Sequence, residues 1–244
     1  MQILRTLLIG LFLCTLSSIS AQSITEGSIK MEITDVESDN EAVAAQLEMM
    51  KGTETDYTFN GKKSLVTSNM MGGMIKMQSM TETATETSTM LFDMMGQKMM
   101  VESTKEDRAE SEKQQKEAFK DMVVKYDEAD TKEILGYSCM KAVVSGGEEA
   151  PFSFEMYVTK ELDIDHKLIQ GMQGLELDGF PLEYVMKMGS SPMMGGGMSM
   201  TYSATEIETT LDKDVFTLNT EGYKKLTFKE FEEQMKGLGG GMGF

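Results

Sequence analysis

The chain has 244 residues, a formal net charge of −17, 26 methionines, two cysteines, one histidine and no tryptophan. So large a negative charge repels nucleic-acid phosphates and anionic lipid headgroups, which argues against DNA, RNA and peripheral membrane binding. One histidine and two cysteines do not make a structural zinc site of the usual nitrogen–sulfur kind, and the length suffices for one domain with its own core.

Residues 1–21 read as a secretory signal peptide. Arg5 supplies the positive start, and Leu7 to Leu16 is an almost unbroken apolar run of about ten residues, too short to span a bilayer. Ser17, Ser18, Ser20 and Ala21 form the small-residue cleavage zone, with the cut placed after Ala21 and Ile19 at the −3 position. Cys14 follows Leu13 inside the apolar run, without the small residues that precede a lipidated cysteine. An uncleaved N-terminal anchor is the alternative. No other stretch is apolar enough to cross a membrane, so the expected product is exported, to the periplasm or beyond, and is not an integral membrane protein. Only Cys139 then remains, so no internal disulfide forms and stability must come from a buried core.

Beyond the leader the dominant pattern has period two. Ile29, Met31 and Ile33 alternate with polar neighbours. The same alternation runs through Phe152, Phe154, Met156 and Val158, through Leu182, Tyr184, Met186 and Met188, and through Met198, Met200 and Tyr202. Each is a strand with one apolar face, the signature of an antiparallel sheet covered on one side. Turn signals follow at short intervals. Asn60-Gly61, after Tyr57 and Phe59, predicts a type I′ hairpin. Gly72-Gly73, Gly96-Gln97 and Gly146-Gly147 mark further turns. Closely spaced hairpins predict an up-and-down meander.

Three segments read otherwise. Asn40 to Met50 has helix-forming composition. Residues 103–121 form a charged run whose only bulky apolar residue is Phe119, a solvated helix or a flexible excursion. Thr227 and Glu230 make a capping box before a stripe of Phe228, Phe231, Met235 and Leu238, which predicts a C-terminal helix ended by Gly239 to Gly241. The expected organisation is one β-rich domain over residues 22–238, followed by a flexible tail, 239–244.

The methionines offer the sharpest chemistry. Met71, Met74, Met77 and Met80 recur at spacing three, and thioethers select Cu(I). On a helix that spacing would put them on one face, but Gly72-Gly73 disfavours a helix, and in a strand residues three apart point to opposite faces. A second cluster runs from Pro192 to Met200. Methionine also fills irregular cores. His166, in "DIDHK", reads as part of a surface loop, and no G-x-S-x-G elbow is present. Cys139 reads as a packed thiol within a strand. No catalytic constellation emerges and no cofactor is expected.

The stretch "TKEILGYSCMKAVV", from Thr131 to Val144, resembles the I-x-G-Y-x-C-x-K signature of a family of small exported proteins of Gram-negative bacteria, the domain-of-unknown-function family number forty-four twelve, related to the GLPGLI proteins. "FEMYVTKEL", "GFPLEYVMK" and "ATEIETTLDKDVFTLNTEGYKKL" are similar to later elements of that family, although no literal GLPGLI string occurs. The resemblance implies a fold like that of outer-membrane lipoprotein carriers: a curved, incompletely closed antiparallel half-barrel with helices over its concave face. It brings no catalytic residues.

The expectation is therefore a mainly β, non-enzymatic envelope protein that binds an apolar ligand, such as a lipid or acyl chain, on its concave face. The expected lining is Phe152, Phe154, Met156, Val158, Leu182, Tyr184, Met186 and Met188, with Phe228 and Phe231 laid over it by the C-terminal helix. The alternatives are a copper protein using Met71, Met74, Met77 and Met80, and a module with a filled core that binds another envelope protein.

Overall fold

The computed structural model describes residues 24–146, 152–169, 171–191 and 196–237. The expected signal peptide, Gly147, Pro192 to Gly195, Leu238 and the glycine tail lie outside these residues.

The fold is mainly β, one open sheet of twelve strands. In chain order they are β1 (Gly27–Ser38), β2 (Glu54–Phe59), β3 (Lys63–Met70), β4 (Ile75–Glu82), β5 (Thr87–Met94), β6 (Gln97–Ser103), β7 (Val123–Ile134), β8 (Tyr137–Ser145), β9 (Phe152–Thr159), β10 (Phe180–Ser191), β11 (Gly196–Glu208) and β12 (Lys224–Leu226). Three helices accompany them: α1 (Glu41–Glu48), α2 (Lys105–Phe119) and α3 (Phe228–Gly237). The spatial order is β12-β6-β5-β4-β3-β2-β1-β11-β10-β9-β8-β7. Two meanders, β1 to β6 and β7 to β11, are joined where β1 pairs antiparallel with β11, and the short β12 lies parallel to its neighbour, β6. The period-two segments are β1, β9, β10 and β11.

The turns follow local chemistry. Leu135-Gly136 and Met95-Gly96 both carry φ of 52° to 88° at their two central positions, the left-handed pair that matches strand twist in a tight hairpin. Asn60-Gly61 does connect β2 to β3, but not as a type I′ turn. Neither residue has positive φ, and the Asn60 side-chain oxygen instead accepts from the backbone N–H groups of Lys62 and Lys63. The asparagine caps the loop with its own amide oxygen, and this replaces the left-handed backbone.

The charged run is a helix. Thr104 caps α2 through a reciprocal box with Asp107, which satisfies two otherwise unpaired N–H groups at the first turn. α2 carries the chain from β6, next to one edge of the sheet, to β7 at the other. Ten strand steps separate them, roughly 48 Å in a flat sheet at about 4.8 Å per step. The helix rises about 22 Å, and the few flanking residues extend the reach from Ser103 to Val123 to no more than about 40 Å. The sheet must therefore curl, with α2 as a chord over its concave face. Phe119, at the end of α2, docks on Phe152 of that face, ring centroids 4.8 Å apart.

Candidate functional site

Residues directly opposed in an antiparallel ladder point to the same side, so the register defines the concave face row by row. One row crosses it as Ile33, Tyr202, Tyr184, Met156 and Ala142. The next, two residues further along each strand except on β1, where a bulge makes it three, reads Val36, Met200, Met186, Phe154 and Val144. The outermost reads Ser38, Met198, Met188 and Phe152. In the other half the same face continues through Tyr57, Val66, Ser79, Met90 and Val101, and through Met77, Phe92 and Met99.

The expected lining residues thus share one face but not one environment. Phe154, Met156, Val158, Leu182 and Tyr184 are buried in the larger core. Above them lies the connection from β9 to β10, residues 160–179, whose Leu162, Ile164, Ile169, Met172 and Leu175 are buried in the same cluster. Phe152, Met186 and Met188 are only half-buried, with Met198, at the rim where the strands end. Phe228 and Phe231 belong to a second cluster at the other edge, where Phe231 meets Phe92 edge-on at 6.3 Å. The capping box read from Thr227 and Glu230 positions them: the Thr227 N–H donates to Glu230 and the Glu230 N–H donates back to the Thr227 hydroxyl. The side chain of Met235 lies outside the described residues.

His166 corrects a sequence reading. It is buried, not on a surface loop, and its Nε2 lies 3.0 Å from the Leu175 carbonyl oxygen. Apolar residues on both sides of it dock the connection onto the sheet, and the ring closes that connection on itself. Cys139 is buried and free. Burial pushes its thiol up to about 11, helped by the Glu161 carboxylate, so it stays protonated and is a poor nucleophile or metal ligand. The methionines at spacing three are dispersed. Met71 and Met74 are exposed in the β3–β4 turn. Met77 opposes Phe92 on the concave face, while Met80 opposes Leu65 and Thr89 on the other.

The polar content of the concave face comes from residues that sequence reasoning left out of the site. Tyr57 and Tyr202 join Tyr184 near its middle. Tyr184 and Tyr202 stack with centroids 4.5 Å apart and planes 12° apart, and Tyr57 meets Phe180 edge-on at 6.0 Å. Tyr57 and Tyr184 are 5% and 4% exposed. Burial raises all three phenols, Tyr202 to about 12, and the proximity of the phenols to one another adds to the effect on Tyr57 and Tyr184. The Tyr202 hydroxyl faces the Met200 sulfur at 3.8 Å. The signal was present in sequence: Tyr202 continues the alternation of Met198 and Met200, and Tyr57 alternates with Phe59.

No protein-family model matches the chain, so the resemblance to family forty-four twelve rests on its quoted motifs. No curated protein matches either. Two structures of PNGF-II, in space groups C2 and P21, are each 12% identical over 86% of this chain, with TM-scores of 0.48 and 0.46. This chain spans about a third of their length, 32% and 33%. A domain described as an outer membrane lipoprotein-sorting protein, from Vibrio parahaemolyticus, is 6% identical, with 81% of this chain and 92% of that one covered, at a TM-score of 0.32.

Proposed function

We propose that the chain is an exported, non-enzymatic protein of the bacterial envelope that seats an apolar ligand at the methionine-lined rim of its concave face. The observation that carries this reading is the half-burial of Phe152, Met186, Met188 and Met198 side by side on β9, β10 and β11. Phe154, Met156, Val158 and Leu182, deeper on β9 and β10, are buried beneath the β9–β10 connection, so the apolar seat is the rim and not the whole trough. Unbranched thioethers repack around ligands of differing shape, which suits a soft apolar seat better than branched side chains do. The outer faces of these strands carry ion pairs, Lys132 with Glu183 and Lys187 with Glu155, and stay in water.

The test is saturable binding of the apolar dye N-phenyl-1-naphthylamine, compared between the native protein and a Met186→Asp variant shown to be folded by circular dichroism. Saturable dye binding that the variant loses supports the seat. Absence of saturable binding, or equal binding by the variant, removes it. A second reading is favoured by the burial of Leu162, Ile169 and Met172 over the sheet: a module with a filled core whose exposed Met71, Met74 and Met95 meet another envelope protein. Under that reading the dye does not bind. The copper alternative predicts tight Cu(I) uptake lost on joint replacement of Met71, Met74 and Met77.

A further inference from the structure

The three tyrosines on the concave face do more than fill space. A buried phenol ordinarily finds a hydrogen-bond partner for its O–H. Among the described residues, Tyr57 and Tyr184 have none, and Tyr202 has only the thioether of Met200. Yet no side-chain oxygen of the described residues is both sealed from solvent and unpartnered. The little exposure that Tyr57 and Tyr184 retain therefore includes their hydroxyls, polar atoms on an otherwise apolar face. Along β10 and β11 the register leads from these phenols to the rim. From the Tyr184–Tyr202 row the next row holds Met186 and Met200, and the one beyond holds Met188 and Met198. Four residues of strand, roughly 13 Å at about 3.3 Å per residue, separate the phenols from the outermost methionines.

We propose that Tyr57, Tyr184 and Tyr202 form the polar end of the ligand seat and donate hydrogen bonds to the carbonyl oxygen of an uncharged acyl ester whose chain lies along Met186 and Met188. This rests on the apolar seat of the preceding section and names its ligand class. Charge selects the ester over a free carboxylate. The lysines of the surrounding strands point outward to carboxylates, Lys30 to Glu206 and Lys187 to Glu155. A buried carboxylate would thus meet three neutral donors and no cation, whereas an ester carbonyl needs only the donors. The elevated phenol pKa values keep those donors protonated across the physiological range.

The experiment is displacement of bound N-phenyl-1-naphthylamine at pH 8 by three ligands of one chain length: tetradecane, methyl tetradecanoate and tetradecanoate. The native protein is expected to bind the ester about tenfold more tightly than the alkane or the carboxylate, the factor one net hydrogen bond supplies. The double variant Tyr184→Phe/Tyr202→Phe keeps both rings and is expected to lose the preference for the ester over the alkane. Equal binding of ester and alkane by the native protein, tightest binding of the carboxylate, or an ester preference that survives in the variant overturns the phenol seat and leaves the apolar seat standing. Failure of the dye itself to bind overturns both.

Discussion

Replacing Tyr184 by phenylalanine removes one oxygen from a side chain that is 4% exposed. If that hydroxyl had a partner inside the protein, its loss would cost about 0.5–1.5 kcal/mol. No described residue supplies one, so the substitution removes a poorly solvated polar atom and leaves the apolar contacts of the ring with Tyr202 intact. The expected change is within about 0.5 kcal/mol of zero and stabilising in sign, because an unpartnered buried hydroxyl is itself a cost. Tyr126 is the internal control. Its hydroxyl accepts from the Asp178 backbone N–H at 2.7 Å, so Tyr126→Phe is expected to lose about 0.5–1 kcal/mol. Tyr184→Ala, which also empties a core position, is expected to lose about 3–5 kcal/mol. Urea unfolding followed by circular dichroism reads all three. At a slope of about 2.5 kcal/mol per molar urea, a loss of 1 kcal/mol moves the midpoint down by about 0.4 M. A Tyr184→Phe loss above about 1.5 kcal/mol, with the slope unchanged, would show that the hydroxyl is already bonded within the protein and is not free for a ligand.

Four further outcomes follow from named features. Cys139 is expected to react with a thiol reagent at pH 8 on the order of 100-fold more slowly than an unperturbed thiol, since burial pushes its pKa from the ordinary 9.0 up to about 11 and only the thiolate reacts; rapid native labelling would contradict its burial. Because that pKa is raised on folding, the Cys139 contribution to stability is complete below about pH 9 and is lost as pH climbs toward 11, so Cys139→Ala should flatten the alkaline fall in stability measured by urea titration at each pH. Phe231→Ala should cost about 3–4 kcal/mol by opening the cluster with Phe92 and Leu226, and limited proteolysis should then cut α3 first. Leu135→Asn should stabilise by about 0.5–1 kcal/mol, because Leu135 is exposed and holds φ at 52°, where asparagine is better tolerated.

The strands were legible because burial on one face imposes period two, and β1, β9, β10 and β11 obey it between the bulges that interrupt their ladders. Their neighbours on the sheet were not. The order β1 beside β11 is set by long-range pairing that no local pattern encodes. The connection over residues 160–179 was hidden for a related reason: Leu162, Ile164, Ile169, Met172 and Leu175 are spaced irregularly, so they signal neither helix nor strand although they bury as deeply as strand residues. That connection divides the expected lining into a covered part, Phe154, Met156, Val158 and Leu182 with the ring of Tyr184, and an accessible part, Phe152, Met186 and Met188. The two phenylalanines of α3 share one cluster, but their partner strands, β5 and β6, lie at the far side of the sheet from β9 and β10. The tyrosines were visible as members of strands. That three of them converge depends on the β2–β1–β11–β10 order, which only the assembled sheet reveals.

The 26 methionines make their own reporters. With methyl-labelled methionine, a titration with methyl tetradecanoate followed by two-dimensional NMR samples both faces of the sheet and its turns at once. An ester seated on the concave face should give saturable shifts at Met186, Met188, Met198 and Met200, and leave Met80 on the opposite face and Met95, 80% exposed in its turn, unmoved. Shifts that fail to saturate, or that fall first on Met80 or Met95, would place the ligand elsewhere and contradict a seat on the concave face.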